Sequence, residues 1–248
     1  MTTMGWIRRR WWLVLTGLAA AVGIGVFVVP YVYIHFINDP APRLTFDNLD
    51  KQRSSGDASE ASATETPSAG NDATDGNWVV TSPSVAGYRV KETLNGQAAE
   101  GVGRTETVNG SFTLAGTTVT GAEFDVDLST LKSDQTRRDN QVRGRLLETD
   151  EFPVATFVLD QPIALGSIPA DGVLVTATAN GTLSLHGVER PVTLDLQARR
   201  NGAAIEVLVT TLVTFADFDI EDPSASPFVT VGTTGTLEVQ LTLKRGTA

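Results

Sequence analysis

The chain has 248 residues, enough for one large or two small domains, and a formal net charge of −10. That acidity argues against a nucleic-acid partner, because phosphate binding needs clustered positive charge. No cysteine is present, so disulfides, thiolate metal sites, a lipoprotein anchor and a cysteine nucleophile are all excluded.

The first predicted element follows a basic segment, residues 1–10, that ends in Arg8-Arg9-Arg10. From Trp11 to Ile37 run 27 residues without a formal charge. As a helix this stretch is roughly 40 Å long, enough to cross a ~30 Å hydrocarbon core with tilt. Trp11, Trp12, Tyr31 and Tyr33 lie near its two ends, as interfacial aromatic residues do. The arginines place the N-terminus in the cytoplasm and everything after Ile37 outside. A cleavable signal peptide is the rival reading, but its apolar core is usually shorter and a small-residue cleavage site follows it. Residues 11–37 therefore read as an uncleaved, single-pass signal anchor, with His35 as an interfacial residue at its outer end.

Residues 38–76 read as a disordered, acidic tether rich in Ser, Ala and Thr. Its stretch 47–76 is nearly devoid of large apolar side chains, so burial cannot offset the entropy of ordering it.

Residues 77–248 form the folded part, with strand alternation to about Arg245. Val173, Val175, Ala177 and Ala179 alternate with Leu174, Thr176, Thr178 and Asn180. Leu237, Val239, Leu241 and Leu243 alternate with Glu238, Gln240, Thr242 and Lys244. That period of two marks strands with one buried and one wet face. Asn95-Gly96, Asn109-Gly110 and Asn201-Gly202 read as hairpin turns. Asn180-Gly181 falls inside a run and reads as a bulge or bend. The glycosylation-like triplets at Asn109 and Asn180 are taken as turns too. Residues 129–147 make one helical excursion, on which Asp139 and Arg143 could pair four apart. About eight strands and one helical excursion predict an all-β fold, a closed antiparallel barrel in preference to a sandwich.

No catalytic constellation stands out. No Gly-x-Ser-x-Gly elbow occurs, and His186 has only Glu189 nearby in sequence, so neither a hydrolytic triad nor a metal site is indicated. Asp125 and Asp127 share a strand face but alternate with Phe124, Val126 and Leu128, which reads as a solvated face. Arg137, Arg138, Arg143 and Arg145 stand among Asp134, Asp139, Glu148, Asp150 and Glu151, which reads as internal ion pairing. His186 is one of two histidines, and it stands between the runs Leu183–Leu185 and Val192–Leu196 with Gly187 and Pro191 close by. Those neighbours make it a hydrogen-bonded corner of a hairpin.

"RRDNQVRGRLLETDEFPVATF" (137–157) and "GTLSLHGVERPVTLDL" (181–196) together resemble the paired signature of the YceI-like family. Arg138-Asp139, Arg143, Phe152-Pro153, Ala155-Thr156-Phe157 and Leu183 to Pro191 stand in matching order. The early segment "VVTSPSVAGYRV" lacks a histidine frequent in relatives, Gln141 stands where a histidine is frequent, and Leu146-Leu147 replace an aromatic pair. The resemblance implies a lipocalin-like barrel holding polyisoprenoid or similar amphiphilic lipids, in a bacterial protein of the periplasm or exterior and without a defining reaction.

The expected function is therefore membrane-anchored, extracytoplasmic binding of a long apolar lipid of polyisoprenoid or isoprenoid-quinone type. No cofactor, metal, catalytic residue or nucleic-acid partner is expected, and the sequence names no protein partner. Candidate wall residues are Phe112, Leu114, Phe124, Val126, Phe157, Leu159, Leu183, Leu185, Leu194, Val207 and Val239. Alternation places them on shared faces but leaves open whether the interior is hollow. The alternative is a ligand-free interaction module with a packed barrel.

Overall fold

The computed structural model describes residues 40–56, 74–224 and 229–246. The expected anchor at 11–37 lies outside them, and among the described residues no helix is long and apolar enough to cross a membrane.

Eleven strands in one antiparallel sheet build the domain: β1 (Gly76–Leu94), β2 (Gln97–Thr105), β3 (Val108–Ala115), β4 (Thr118–Asp127), β5 (Lys132–Ser133), β6 (Val154–Leu159), β7 (Ile163–Ala164), β8 (Val175–Leu185), β9 (Val188–Asn201), β10 (Ala204–Thr214) and β11 (Val229–Arg245). Eight of them close a ring in the order β1-β3-β4-β6-β8-β9-β10-β11, with β11 returning to β1. Closure runs from Trp78 opposite Arg245 to Leu94 opposite Val229. The long β1 bends on the way, its register slipping around Pro83. Its first part pairs with β3 and its second with β2. The expected barrel is therefore present, with β2 branching from the second part of β1 beside the ring.

Two turn expectations fail for one steric reason. Asn109-Gly110 lies within β3, where Asn109 faces Asp125 and Gly110 faces Phe124; the turn to β4 is made by Gly116 and Thr117 instead. Asn180-Gly181 lies within an unbroken stretch of β8, without a bulge. A Cβ at Gly110 would sit 2.2 Å from the Glu123 carbonyl, and one at Gly181 2.4 Å from the Phe157 ring. These glycines admit a neighbour rather than turn the chain. Asn95-Gly96 does form a two-residue turn, and Gly202 turns β9 into β10.

The helical excursion is shorter than expected. A 3-10 turn (Leu128–Thr130) leads through β5 into α2 (Thr136–Gln141), which widens into a π-turn at Val142–Leu146. Asp139 and Arg143 do not pair. The Asp139 carboxylate accepts from the Ser133 amide and hydroxyl at 2.7 and 2.6 Å, while Arg143 donates to the Ser129 and Leu131 carbonyls. Loop closure claims both residues. Among the four arginines, Arg138 pairs with Asp134 as expected but also with Glu92 of β1 at 3.1 Å. Asp125 accepts from the Thr156 hydroxyl, and Asp127 caps the 3-10 turn through Ser129.

The expected tether is ordered at its start. Pro40 to Thr45 run without regular secondary structure into α1 (Phe46–Gly56). The averaged composition hid two anchors three residues apart: Leu49 is fully buried, and the Phe46 ring lies 4.6 Å under the Arg199 guanidinium. Asp50 adds an ion pair to Arg199 at 2.5 Å. Residues 57–73 lie outside the described residues.

The outer face of β11 also departs from the wet expectation: Glu238, Gln240 and Thr242 are buried. Glu238 accepts from Arg89 Nε at 2.7 Å and Nη2 at 3.3 Å, and from Arg104 at 3.0 Å. Burial by itself would raise the Glu238 carboxyl, but the hydrogen bonds from Arg89 and Arg104 outweigh it and hold it below the ordinary value. Its stabilisation is complete above the ordinary carboxylate range and is lost as pH falls through the lowered native value.

Two outcomes follow from this packing. Gly181→Ala should cost about 1–3 kcal/mol in urea unfolding by overpacking against Phe157, whereas Gly121→Ala, with no atom within 4 Å of its Cβ, should unfold within about 0.5 kcal/mol of wild type. Thermal midpoints should drop as pH falls below about 4.3. Glu238→Gln should flatten that acid limb while costing about 3 kcal/mol at pH 7, because it leaves Arg89 under-paired.

Candidate functional site

Inside the barrel, alternate side chains of eight twisted strands face one another across a lumen that they do not fill. The cavity has a volume of about 630 Å³, within the range of about 300–1,000 Å³ typical of small-molecule sites. All eleven candidate wall residues line it: Phe112 and Leu114 from β3, Phe124 and Val126 from β4, Phe157 and Leu159 from β6, Leu183 and Leu185 from β8, Leu194 from β9, Val207 from β10 and Val239 from β11.

Two apolar clusters bracket the lumen. Near the β3–β4 turn, Trp78 stacks on Phe112 at 6.3 Å between centroids, with Leu114 and Leu243 beside them and Leu165 and Ile168 packed against the group. The Trp78 indole donates to the Thr74 carbonyl at 2.8 Å, so its polar atom is satisfied. Near the β8–β9 turn, Leu128, Leu131, Leu185, Val213 and Phe218 form the second cluster.

His186 sits at that second end. His186 and Gly187 both have positive φ, 53° and 72°, and join β8 to β9 by a two-residue turn with Leu185 opposite Val188. The imidazole reaches the Phe218 carbonyl through Nδ1 at 3.0 Å and the Glu148 carboxylate through Nε2 at 3.1 Å. The Phe152 ring meets it edge-on at 5.2 Å. His186 does not line the cavity. It ties the turn to the loops after β10 and α2, as expected of a corner residue.

Polar groups gather at the α2 end of the lumen: Glu92, Gln135, Arg137, Arg138 and Gln141. Arg138 is committed to Glu92 and Asp134, whereas Arg137 is exposed and makes no ion pair or hydrogen bond among the described residues. Tyr88 faces the lumen across Gly103, and burial pushes its phenol well above the ordinary value, so it stays a neutral hydroxyl. The candidate set omitted Tyr88 and Val90, although they alternate with Arg89 and Lys91, and Glu92, whose charge reads as outward-facing. It also omitted the small residues Ala177 and Ala179, although their period of two with Val175 was visible in the sequence. Among the described residues no cluster of His, Asp and Glu could hold a metal ion.

A wide apolar lumen in an eight-stranded barrel, with the signature loop at one end, has a counterpart among known families. The model of the YceI-like domain matches residues 79–243. The chain belongs to the YceI-like family. A UPF0312 protein of Vibrio parahaemolyticus is 26% identical over 136 residues, covering 51% of this chain and 68% of that protein. Among solved structures, a polyisoprenoid-binding domain from Saccharophagus degradans, implicated in plant cell wall breakdown, superposes with a TM-score of 0.55 at 19% identity. It is matched over 70% of this chain and all of the other. BcnA from Burkholderia cenocepacia gives 0.50 at 17% identity, over 63% of this chain and 95% of its own. These two share the fold of this YceI-like chain.

The corner role of His186 is open to measurement. His186→Ala should lower unfolding stability by about 1–3 kcal/mol through the unmet acceptors and the loosened turn, with ligand capacity per folded molecule unchanged. Lost capacity at unchanged stability would make it a ligand contact.

Proposed function

We propose that this YceI-like protein is a membrane-anchored, extracytoplasmic binding protein that encloses the hydrocarbon chain of a polyisoprenoid or isoprenoid-quinone lipid. The single observation that carries the reading is the ~630 Å³ lumen walled by apolar side chains from every barrel strand. A packed interaction module would have that volume occupied by its own side chains. The fold shared with a polyisoprenoid-binding domain supports the same ligand class. The eleven wall residues take the chain, and each methylene buried contributes about 0.8 kcal/mol. The neutral Tyr88 hydroxyl and Arg137, which has no partner among the described residues, are donors available to a polar head at the α2 end. Binding is the whole of the activity in this reading, with no catalytic step.

The location follows from the N-terminal sequence. Arg8–Arg10 hold the N-terminus inside, Trp11–Ile37 spans the bilayer, and the barrel stands on the outer side.

Isoprenoid alcohols of increasing length test the cavity. Affinity should rise with each added unit until the lumen is full and then level off. Ala177→Trp, which places an indole on the wall, should cut capacity at least tenfold with a stability change under about 1.5 kcal/mol. Length-independent affinity, or an Ala177→Trp variant that binds as wild type does, would contradict an enclosed chain.

A further inference from the structure

The segment between the expected anchor and the barrel is strapped to the barrel wall. Arg89 Nη2 donates to the Ala41 carbonyl at 2.8 Å, and Arg104 donates to the Pro42 carbonyl. Arg43 lies 3.5 Å from Glu100 and 3.7 Å from Glu238. Farther on, Asn48 Nδ2 donates to the Arg43 carbonyl at 2.7 Å, Leu49 is fully buried, and Asp50 and Phe46 both engage Arg199. Arg199 is held in turn by Glu206 of β10 at 2.7 Å. The strap therefore begins beside β1 and β2 and crosses to β9.

Only Asn38 and Asp39 separate Ile37, the last residue of the anchor, from Pro40 at the start of the strap. Three residue steps span at most ~11 Å. Were the whole of 38–75 a flexible leash, the root-mean-square separation of anchor and barrel would be on the order of 35 Å. Residues 57–73 do not lengthen the connection, because they follow the strap and return the chain to Thr74.

From this we infer that the β1–β2 flank of the barrel is apposed to the lipid surface, held there by the strap, rather than carried at a distance on a tether. The inference rests on Trp11–Ile37 being the membrane anchor of the proposed function. It gives the barrel a fixed lipid-facing side. The polar end of the lumen, whose Glu92 and Leu94 belong to the second half of β1, lies on that flank.

The test uses the full chain reconstituted in phosphatidylethanolamine–phosphatidylglycerol vesicles. Because the chain has no cysteine, a fluorophore can be placed at Lys91→Cys on the outer face of β1 or at Val158→Cys on β6. Quenching by headgroup nitroxide lipid should be several-fold stronger at position 91 than at position 158. Inserting about twenty Gly/Ser residues between Asn38 and Asp39 leaves every strap contact intact and should abolish that difference. The triple change Phe46→Ala, Leu49→Ala, Asp50→Ala should reduce it. Weak, equal quenching at both sites in vesicle-bound wild type, unchanged by the insertion, would overturn the apposition while leaving the anchor in place. A chain that fails to float with the vesicles would overturn the anchor and the apposition together.

Discussion

Closure of the sheet by β1 against β11 is the constraint on which the other features depend. Once Trp78 lies opposite Arg245 and Leu94 opposite Val229, the pleat assigns every residue of eight strands to an inside or an outside. The apolar side chains at alternate positions then meet only one another. In this barrel they do not fill the space, and a lumen of about 630 Å³ remains. A slip of one residue anywhere in the ladder would carry a whole apolar row to the outside. The same pattern thus sets the register and lines the cavity with apolar side chains.

The buried charged side chains Arg89, Glu92, Glu206 and Glu238 each meet a partner of opposite charge. Arg138 of α2 reaches Glu92 at one end of the lumen, and His186 joins the β8–β9 turn to Phe218 and Glu148. On the outside, Arg89 is saturated by Glu238, Glu100 and the Ala41 carbonyl. That buried network is the reason the strap has a defined seat. Breaking it would leave charges stranded in a place water reaches poorly. The interior, by contrast, is apolar along most of its length, with polar groups gathered near α2.

What was legible in the sequence was what repeats locally. The wall residues from Phe112 to Val239 were visible because a period of two needs only near neighbours, and the corner at His186 because Gly187 adjoins it, although the turn is tighter than the sequence suggested and Pro191 lies within β9 opposite Thr182. What escaped was set by partners distant in sequence. Glu238 looked like a wet-face residue because nothing near it announces Arg89 or the strap. Phe46 and Leu49 were lost in a polar average, since their seat on Arg199 is made by the fold. Asn109-Gly110 was read as a turn because the dipeptide favours one. The tertiary need at Gly110 is for room beside the Glu123 carbonyl, and Gly116 supplies the turn instead.

Native mass spectrometry of the full chain, released from membranes in mild detergent, tests the central claim most directly. An unfilled apolar lumen does not stay exposed to water when a long lipid is at hand. The predicted result is one lipid per chain, with a mass in the isoprenoid series, lost only on strong collisional activation. The bare polypeptide mass, under conditions that keep lipid on a control lipocalin, would contradict the account.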